Sequence, residues 1–241
     1  MQGRLKRTFV ITGAGISAES GVPTFRGKDG YWRNHDPTKL ATAEAFRNDP
    51  ELVWEWYRDR RSLVESKEPN AAHEAVVQLA QMSDEFLLLT QNVDNLHQRA
   101  KWNGKGLSPD QMVQIHGRLL ESHCFDCGSK PDGPDPLEPN VPICQECGGN
   151  LRPSVVWFGE NLDPDNARRV DEFVQRPCDL VIVIGTTAAF GYITHWAVQA
   201  GASSRIIEIN PEPSLTHIAT DIIARPAAKA LPELVKTLSG V

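Results

Sequence analysis

Six short, largely apolar runs, at residues 8–11, 86–90, 113–115, 155–158, 180–184 and 206–209, limit the fold of this chain more than any other feature. Each has the length of a strand and lacks the strict polar alternation of a strand with one wet face, so each reads as buried on both sides. Segments with helical spacing lie between them. Ala71–Met82 follows Pro69-Asn70, and residues 163–175 open with Asp163 as cap and Pro164 in the first helical position. Strands and helices in alternation predict a doubly wound α/β domain built on a parallel sheet.

None of these runs approaches the roughly 18 to 20 apolar residues of a membrane helix. A strand-like run begins directly after a short basic start with no apolar leader, so a cytoplasmic protein without membrane contact is expected. Basic residues number 25 against 31 acidic ones, a net charge of −6 with no basic block, which argues against direct nucleic-acid binding.

Two stretches interrupt the alternation. One is 28–69, too long for a connection and carrying its own helix from Asp49-Pro50; the other is 121–151, rich in Cys, Pro and Gly. Together they are read as a small helical and zinc-binding domain (28–69 and 121–151) beside a sheet domain (1–27, 70–120 and 152–241). Within the second stretch, Cys124-x-x-Cys127 and Cys144-x-x-Cys147 are separated by sixteen residues, the spacing of a zinc ribbon. Four thiolates fill a tetrahedral shell and leave no position for water, so the metal is structural rather than catalytic. Two disulfides are the alternative, disfavoured by a reducing compartment. Cys178, before an apolar run, reads as a small buried hydrophobe.

The first run ends in Thr12-Gly13-Ala14-Gly15-Ile16-Ser17-Ala18, which fits G-x-G-x-x-G/A and suggests a dinucleotide pyrophosphate held against backbone N–H groups. The layout is not that of a dehydrogenase. The acid at a suitable distance, Asp36, follows Tyr31-Trp32-Arg33-Asn34-His35, which is no apolar strand. Polar residues follow the other runs: Thr90-Gln91-Asn92-Val93-Asp94, His116-Gly117, Gly185-Thr186-Thr187 and Asn210-Pro211-Glu212. In an open α/β sheet such ends converge on one crevice, where His116 is the best general base. His73 and His97 are read as packing residues.

On the segment Pro50–Glu65, spacing at 100° per residue puts Leu52, Val53, Trp56, Tyr57, Leu63 and Val64 on one stripe with Arg60 near its centre. A guanidinium facing inward must be paired, and with Tyr57 three positions earlier it offers donors for a carboxylate. An internal partner such as Glu44 or Asp59 is the competing explanation.

Taken together, Gly13-Ala14-Gly15-Ile16-Ser17, Gly21-Val22-Pro23-Thr24-Phe25-Arg26, Gln91-Asn92-Val93-Asp94, His116-Gly117, the cysteine pairs and Val155-Val156-Trp157-Phe158-Gly159-Glu160 resemble the sirtuins, NAD-dependent protein lysine deacylases. The resemblance implies a Rossmann-like large domain, a zinc-ribbon plus helical small domain, and a cleft between them for NAD and an acyl-lysine protein or peptide. It assigns Gly13, Ala14, Gly15, Ser17, Phe25 and Arg26 to the cofactor, Gln91 and Asn92 to the nicotinamide ribose, and Asp94 to the carboxamide. Gly185, Thr186, Thr187, Asn210, Glu212 and the backbone near Ala227 fall to the adenosine half, and His116, with Asn92, to catalysis. Val156, Trp157, Phe158 and Gly159 would bind the peptide as an added strand. By the same resemblance, the products are free lysine, nicotinamide and O-acyl-ADP-ribose. Tyr57-x-x-Arg60, with a small Ala41, is similar to the branch that removes succinyl and malonyl groups, with weaker deacetylation. The sequence departs from the family pattern at Thr187 and at the bulkier Phe190-Gly191-Tyr192. An ordinary deacetylase, a non-catalytic zinc-ribbon binding module and mono-ADP-ribosylation are the alternatives.

Overall fold

The computed structural model describes residues 5–24, 37–132, 141–202 and 204–240. In chain order the elements are β1 (Leu5–Thr12), α1 (Gly15–Ala18), α2 (Pro37–Leu40), α3 (Ala43–Asn48), α4 (Pro50–Glu65), α5 (Ala71–Met82), β2 (Ser83–Thr90) and α6 (Leu96–Arg99). They continue with β3 (Met112–Gln114), β4 (Gly117–Cys124), β5 (Leu151–Val155), α7 (Pro164–Val174), β6 (Leu180–Ile184), α8 (Gly191–Ala200), β7 (Arg205–Ile209), β8 (Asp221–Ile223) and α9 (Ala227–Ser239).

Among the described residues, the large sheet runs β3-β2-β1-β6-β7-β8 with every pair parallel. Strand order reverses on either side of β1, which opens a crevice at the carboxyl ends of β1 and β6. Thr12 pairs with Thr90 and Ile184, Thr90 with Gln114 and Ile184 with Ile209, so the strands end level. The absence of polar alternation now has its cause. Phe9, Ile11, Leu87, Leu89, Val181 and Val183 face α7 and α8, whereas Val10, Leu88, Ile182, Ile184, Ile207 and Ile209 face α5 and α9. Each such side chain, fully buried, contributes about 1.5–3 kcal/mol. No helix among the described residues is long and apolar enough to cross a membrane.

One expected strand is corrected. Residues 155–158 do not join the parallel sheet; β5 ends at Val155 and pairs antiparallel with β4 in a separate two-stranded sheet. The apolar run instead buries Val155 and Trp157 in a second core with Leu40, Phe46, Val53, Trp54, Trp56, Tyr57 and Leu119. An apolar run cannot by itself say which core it fills. The remaining place in the large sheet goes to β8, a three-residue edge strand that begins with Asp221 and is not buried, so it lacks the apolar run that marked the inner strands.

The interruptions meet in space. Asp49 caps α4, its carboxylate accepting from Leu52 N at 3.0 Å, and Pro50 takes the first turn. Trp54 donates its indole N–H to Leu151 O at 2.8 Å, and Arg61 donates to Leu119 O at 2.8 Å and to Glu121 O and Ser122 Oγ at 3.1 Å. These bonds hold α4 against the β4–β5 hairpin that carries the cysteines.

Candidate active site

The segment leaving each strand is latched to the end of its neighbour. Gly13 N donates to Ile184 O, Gly15 N to Gly185 O, Gln91 N to Thr12 O and Gly185 N to Ile209 O, each at 2.9 Å. A Cβ at Gly13 would lie 2.7 Å from Thr186 Cβ, and one at Gly15 would lie 2.6 Å from Gly185 Cα. Both glycines are therefore required by the close approach of two loops, whatever ligand they also admit. The turn after them, α1, is four residues long.

This latching brings the polar strand ends together. Ser17 Oγ donates to Asp94 Oδ2 at 2.9 Å and accepts from Asn92 Nδ2 at 3.1 Å. Gln91 Nε2 donates to Thr186 Oγ1 at 2.9 Å, and Asn210 Nδ2 to Thr186 O at 3.1 Å. His116 Nδ1 lies 3.0 Å from Gln91 O, and its Nε2 lies 2.6 Å from the Tyr192 hydroxyl. Ala14 is half-buried beside these groups, and Ala227 is buried at the start of α9. Thr187 and Glu212 are exposed, the latter with its backbone N bonded to Asn210 Oδ1. Phe25 and Arg26 lie outside the described residues.

Burial sets the proton affinities here. It holds the Asp94 carboxyl above its usual range, against the lowering effect of Leu96 N, Ser17 and the Arg60 cation. It lowers His116, with the Gln91 carbonyl acting the other way. His73 falls to about 4 and His97 well below its ordinary value, both because they are buried. These two rings lie 4.7 Å apart and belong to the same network: His97 Nε2 is 3.1 Å from Thr12 Oγ1, and His73 Nε2 is 3.4 Å from Ser17 Oγ.

Several neighbours gave no sequence signal. The Glu208 carboxylate is buried and accepts from Ser214 N at 2.7 Å and Leu215 N at 2.9 Å, which shapes the loop after β7. Tyr192 reaches the base only because α8 starts beside it.

Arg60 is 7% exposed, with its guanidinium 4.7 Å from the Trp56 ring centre and 5.7 Å from that of Tyr57. Burial lowers its proton affinity, and Tyr57 and Asp94 raise it. Asp94 of the crevice is thus a carboxylate whose field it feels. Burial pushes the Tyr57 hydroxyl up to about 12, and this oxygen accepts from Trp157 Nε1 at 2.8 Å. Phe158 N donates to Ala41 O and Val156 N to His116 O, both at 2.9 Å, while Gly159 turns with φ +86°. The 156–159 segment therefore spans from the base to the helical region.

The metal candidates converge as well. The sulfurs of Cys124, Cys127, Cys144 and Cys147 all lie within 4.8 Å of one another, with Cys124–Cys147 at 3.4 Å and Cys127–Cys144 at 3.8 Å. Four thiolates around zinc at about 2.3 Å are separated by roughly 3.8 Å. The donor set and its size fit a closed, structural zinc, and the four remain free thiols rather than disulfides. Cys178 is buried in the sheet core, as expected.

Residues 13–190 match the model of the Sir2 family. The chain is 45% identical over 235 residues to "NAD-dependent protein deacylase 2" of Pyrobaculum aerophilum, covering 96% of this chain and 90% of that one. It is 43% identical over 246 residues to the "NAD-dependent protein deacylase" of Pseudomonas putida, covering 97% and 90%. Among solved structures, the crystal structure of a Sir2 homolog–NAD complex superposes with a TM-score of 0.85 at 39% identity, covering 98% of this chain and 90% of the other.

Proposed function

The chain belongs to the Sir2 family, and from that premise we propose which residues carry its reaction and which acyl group it prefers. It is an NAD-dependent protein deacylase, with NAD as co-substrate and a structural zinc in the small region. NAD supplies a cleavable bond between ribose and nicotinamide and an ADP-ribose moiety that accepts the acyl group. The protein's own residues bind, orient and move one proton.

Gly13, Ala14, Gly15 and Ser17 line the phosphate side. Gln91 and Asn92, both tied into the network of strand ends, orient the ribose, and the buried Asp94 accepts from the carboxamide. Thr186, Asn210 and the exposed Glu212 serve the adenosine half, with Gly185, Thr187 and the Ala227 backbone beside them. His116 is the general base: burial keeps its imidazole neutral near pH 7, so it can take the proton of a ribose hydroxyl. Proximity in the crevice supplies much of the remaining acceleration. The N–H groups of Val156 and Phe158 are already bonded to His116 O and Ala41 O, so a peptide strand laid along 156–159 is held mainly through carbonyls.

For the acyl group, one observation carries the reading: Arg60 is a buried cation held against the Trp56 and Tyr57 rings, and Asp94 of the crevice is among the groups that favour its charge. A buried guanidinium beside a phenol favours an acyl chain that ends in a carboxylate. We therefore assign succinyl- and malonyl-lysine as preferred substrates, with weaker deacetylation.

Mass spectrometry of succinylated and acetylated peptides, with and without NAD, tests both parts. Arg60→Met is expected to lower kcat/KM for the succinyl peptide by about 10- to 100-fold, the loss of a charge-assisted hydrogen bond, while sparing deacetylation. Equal losses on both peptides would return the enzyme to an ordinary deacetylase. His116→Ala is expected to lower both turnovers by roughly 10²- to 10⁴-fold with the melting temperature unchanged; undiminished turnover removes His116 from the role of base.

A further inference from the structure

His116 has one ring nitrogen against a carbonyl and the other against a phenol, and these two partners restrict its protons differently. The Gln91 carbonyl only accepts, so Nδ1, 3.0 Å away, carries the hydrogen. A neutral imidazole then has its lone pair on Nε2, and the Tyr192 hydroxyl at 2.6 Å is the donor to it. Burial lowers His116, which favours that neutral form, and pushes Tyr192 up to about 12, which keeps the phenol protonated.

The contact is built into the fold. Tyr192 sits in the first turn of α8, its ring stacked on Phe190 at 5.5 Å and 11°. Both rings meet the imidazole edge to face, at 5.6 Å for Phe190 and 6.3 Å for Tyr192. Facing the imidazole are the Gln91 carbonyl from the end of β2, the apolar Phe190 ring before α8, and the Tyr192 phenol of α8. Among the described residues, Tyr192 is the titratable side chain in direct contact, and the resolved influences on His116 are burial and Gln91.

Resting on the deacylase reading, we infer that Tyr192 is a positioning residue for the general base. Its hydroxyl donates to Nε2 in the free protein, holds the imidazole in the Nδ1–H form, and has to yield that nitrogen to the substrate hydroxyl before the base acts. The bulky 190–192 segment, a departure from the family pattern at sequence level, thus acquires a role. A donor on Nε2 favours the neutral imidazole, so its removal raises the pH at which His116 takes up a proton. It also removes a competitor for the nitrogen that the substrate needs.

The test compares wild type, Tyr192→Phe and Tyr192→Leu. Long-range proton–nitrogen NMR of histidine-labelled protein without NAD reads the His116 tautomer and midpoint, assigned by signal loss in His116→Asn. The expected result is an Nδ1–H imidazole in wild type and a midpoint raised by roughly half to one pH unit in Tyr192→Phe, the worth of one hydrogen bond. The acid limb of kcat/KM for an acylated peptide should move in the same direction, and its plateau should rise about three- to tenfold. Tyr192→Leu, which also loses the stack, should show the same midpoint shift. An Nε2–H tautomer in wild type, or an unmoved midpoint in Tyr192→Phe with a lowered plateau, overturns the proposal. The NMR arm needs no turnover, so a shifted midpoint in a protein without deacylation would sink the deacylase reading alone.

Discussion

The sheet region and the cysteine-bearing region both bury polar groups, but they satisfy them by different chemistry. Beneath the crevice, the sheet region relies largely on neutral groups, the Thr12 and Thr90 hydroxyls 2.8 Å apart and the imidazoles of His73 and His97, while its buried Asp94 and Glu208 accept from uncharged backbone N–H groups. The cysteine region relies on charge. Arg61 is matched by two carbonyls and a hydroxyl, Arg152 by Glu160 at 2.5 Å and by the Trp157 ring at 3.3 Å, and the four cysteine sulfurs are grouped as the ligands of a metal cation. A layered sheet buries enough apolar area to tolerate a few neutral polar atoms. A short hairpin with a small core needs strong, directional bonds instead. The two regions should therefore fail under different insults.

The largest effect expected is metal removal. Structural zinc contributes on the order of 10 kcal/mol to the fold around it. Chelation, or Cys124→Ser, should unfold the hairpin and expose Trp54 and Trp157, while far-ultraviolet circular dichroism retains the sheet and its helices. Tryptophan emission that does not change on chelation would break the contrast between the regions. Next comes Arg61→Met, which removes the cation that donates to Leu119 O, Glu121 O and Ser122 Oγ. It should cost about 3–5 kcal/mol in denaturant unfolding and lower succinyl and acetyl turnover alike, unlike the Arg60 change one residue earlier.

Acid gives the smallest of these effects and acts on the sheet region. The folded-state value of His73 is about 4, below the ordinary 6.5, so the unfolded chain binds the proton first. Stability is then fully present above about pH 6.5 and falls by about 1.4 kcal/mol per unit toward pH 4, roughly 3 kcal/mol in total. His97, lowered in the same direction, adds to the loss. Urea midpoints followed from pH 7 to 4.5 should fall less steeply in His73→Gln. Parallel curves would show that the imidazole is not buried neutral.

How much of this was legible in advance depended on the range of the interaction. The β1, β2, β6 and β7 runs, the Asp49 and Asp163 caps and the cysteine pairs were legible because each is coded within a few residues. Residues 155–158 were misassigned because Val155 and Trp157 choose their core only through partners on α3 and α4. Convergence at the strand ends followed from the general geometry of parallel sheets. The purpose of Gly13 and Gly15 was only half visible, since the loop they must clear lies about 170 residues further on. For Arg60 an inward direction could be read from helical periodicity, but the influence of Asp94, which belongs to another element, could not.

By itself the sequence determined the alternating sheet architecture, the four metal-ligand candidates and the inward face of α4, because backbone periodicity, capping and ligand spacing act between residues close in the chain. Only the tertiary structure decided that β8 completes the sheet, that Ser17 joins Asp94 to Asn92, and that Tyr192 stands against the base. The Ser17 and Tyr192 contacts join residues 75 to 77 positions apart, and their hydrogen bonds depend on ångström-scale placement that no local pattern encodes.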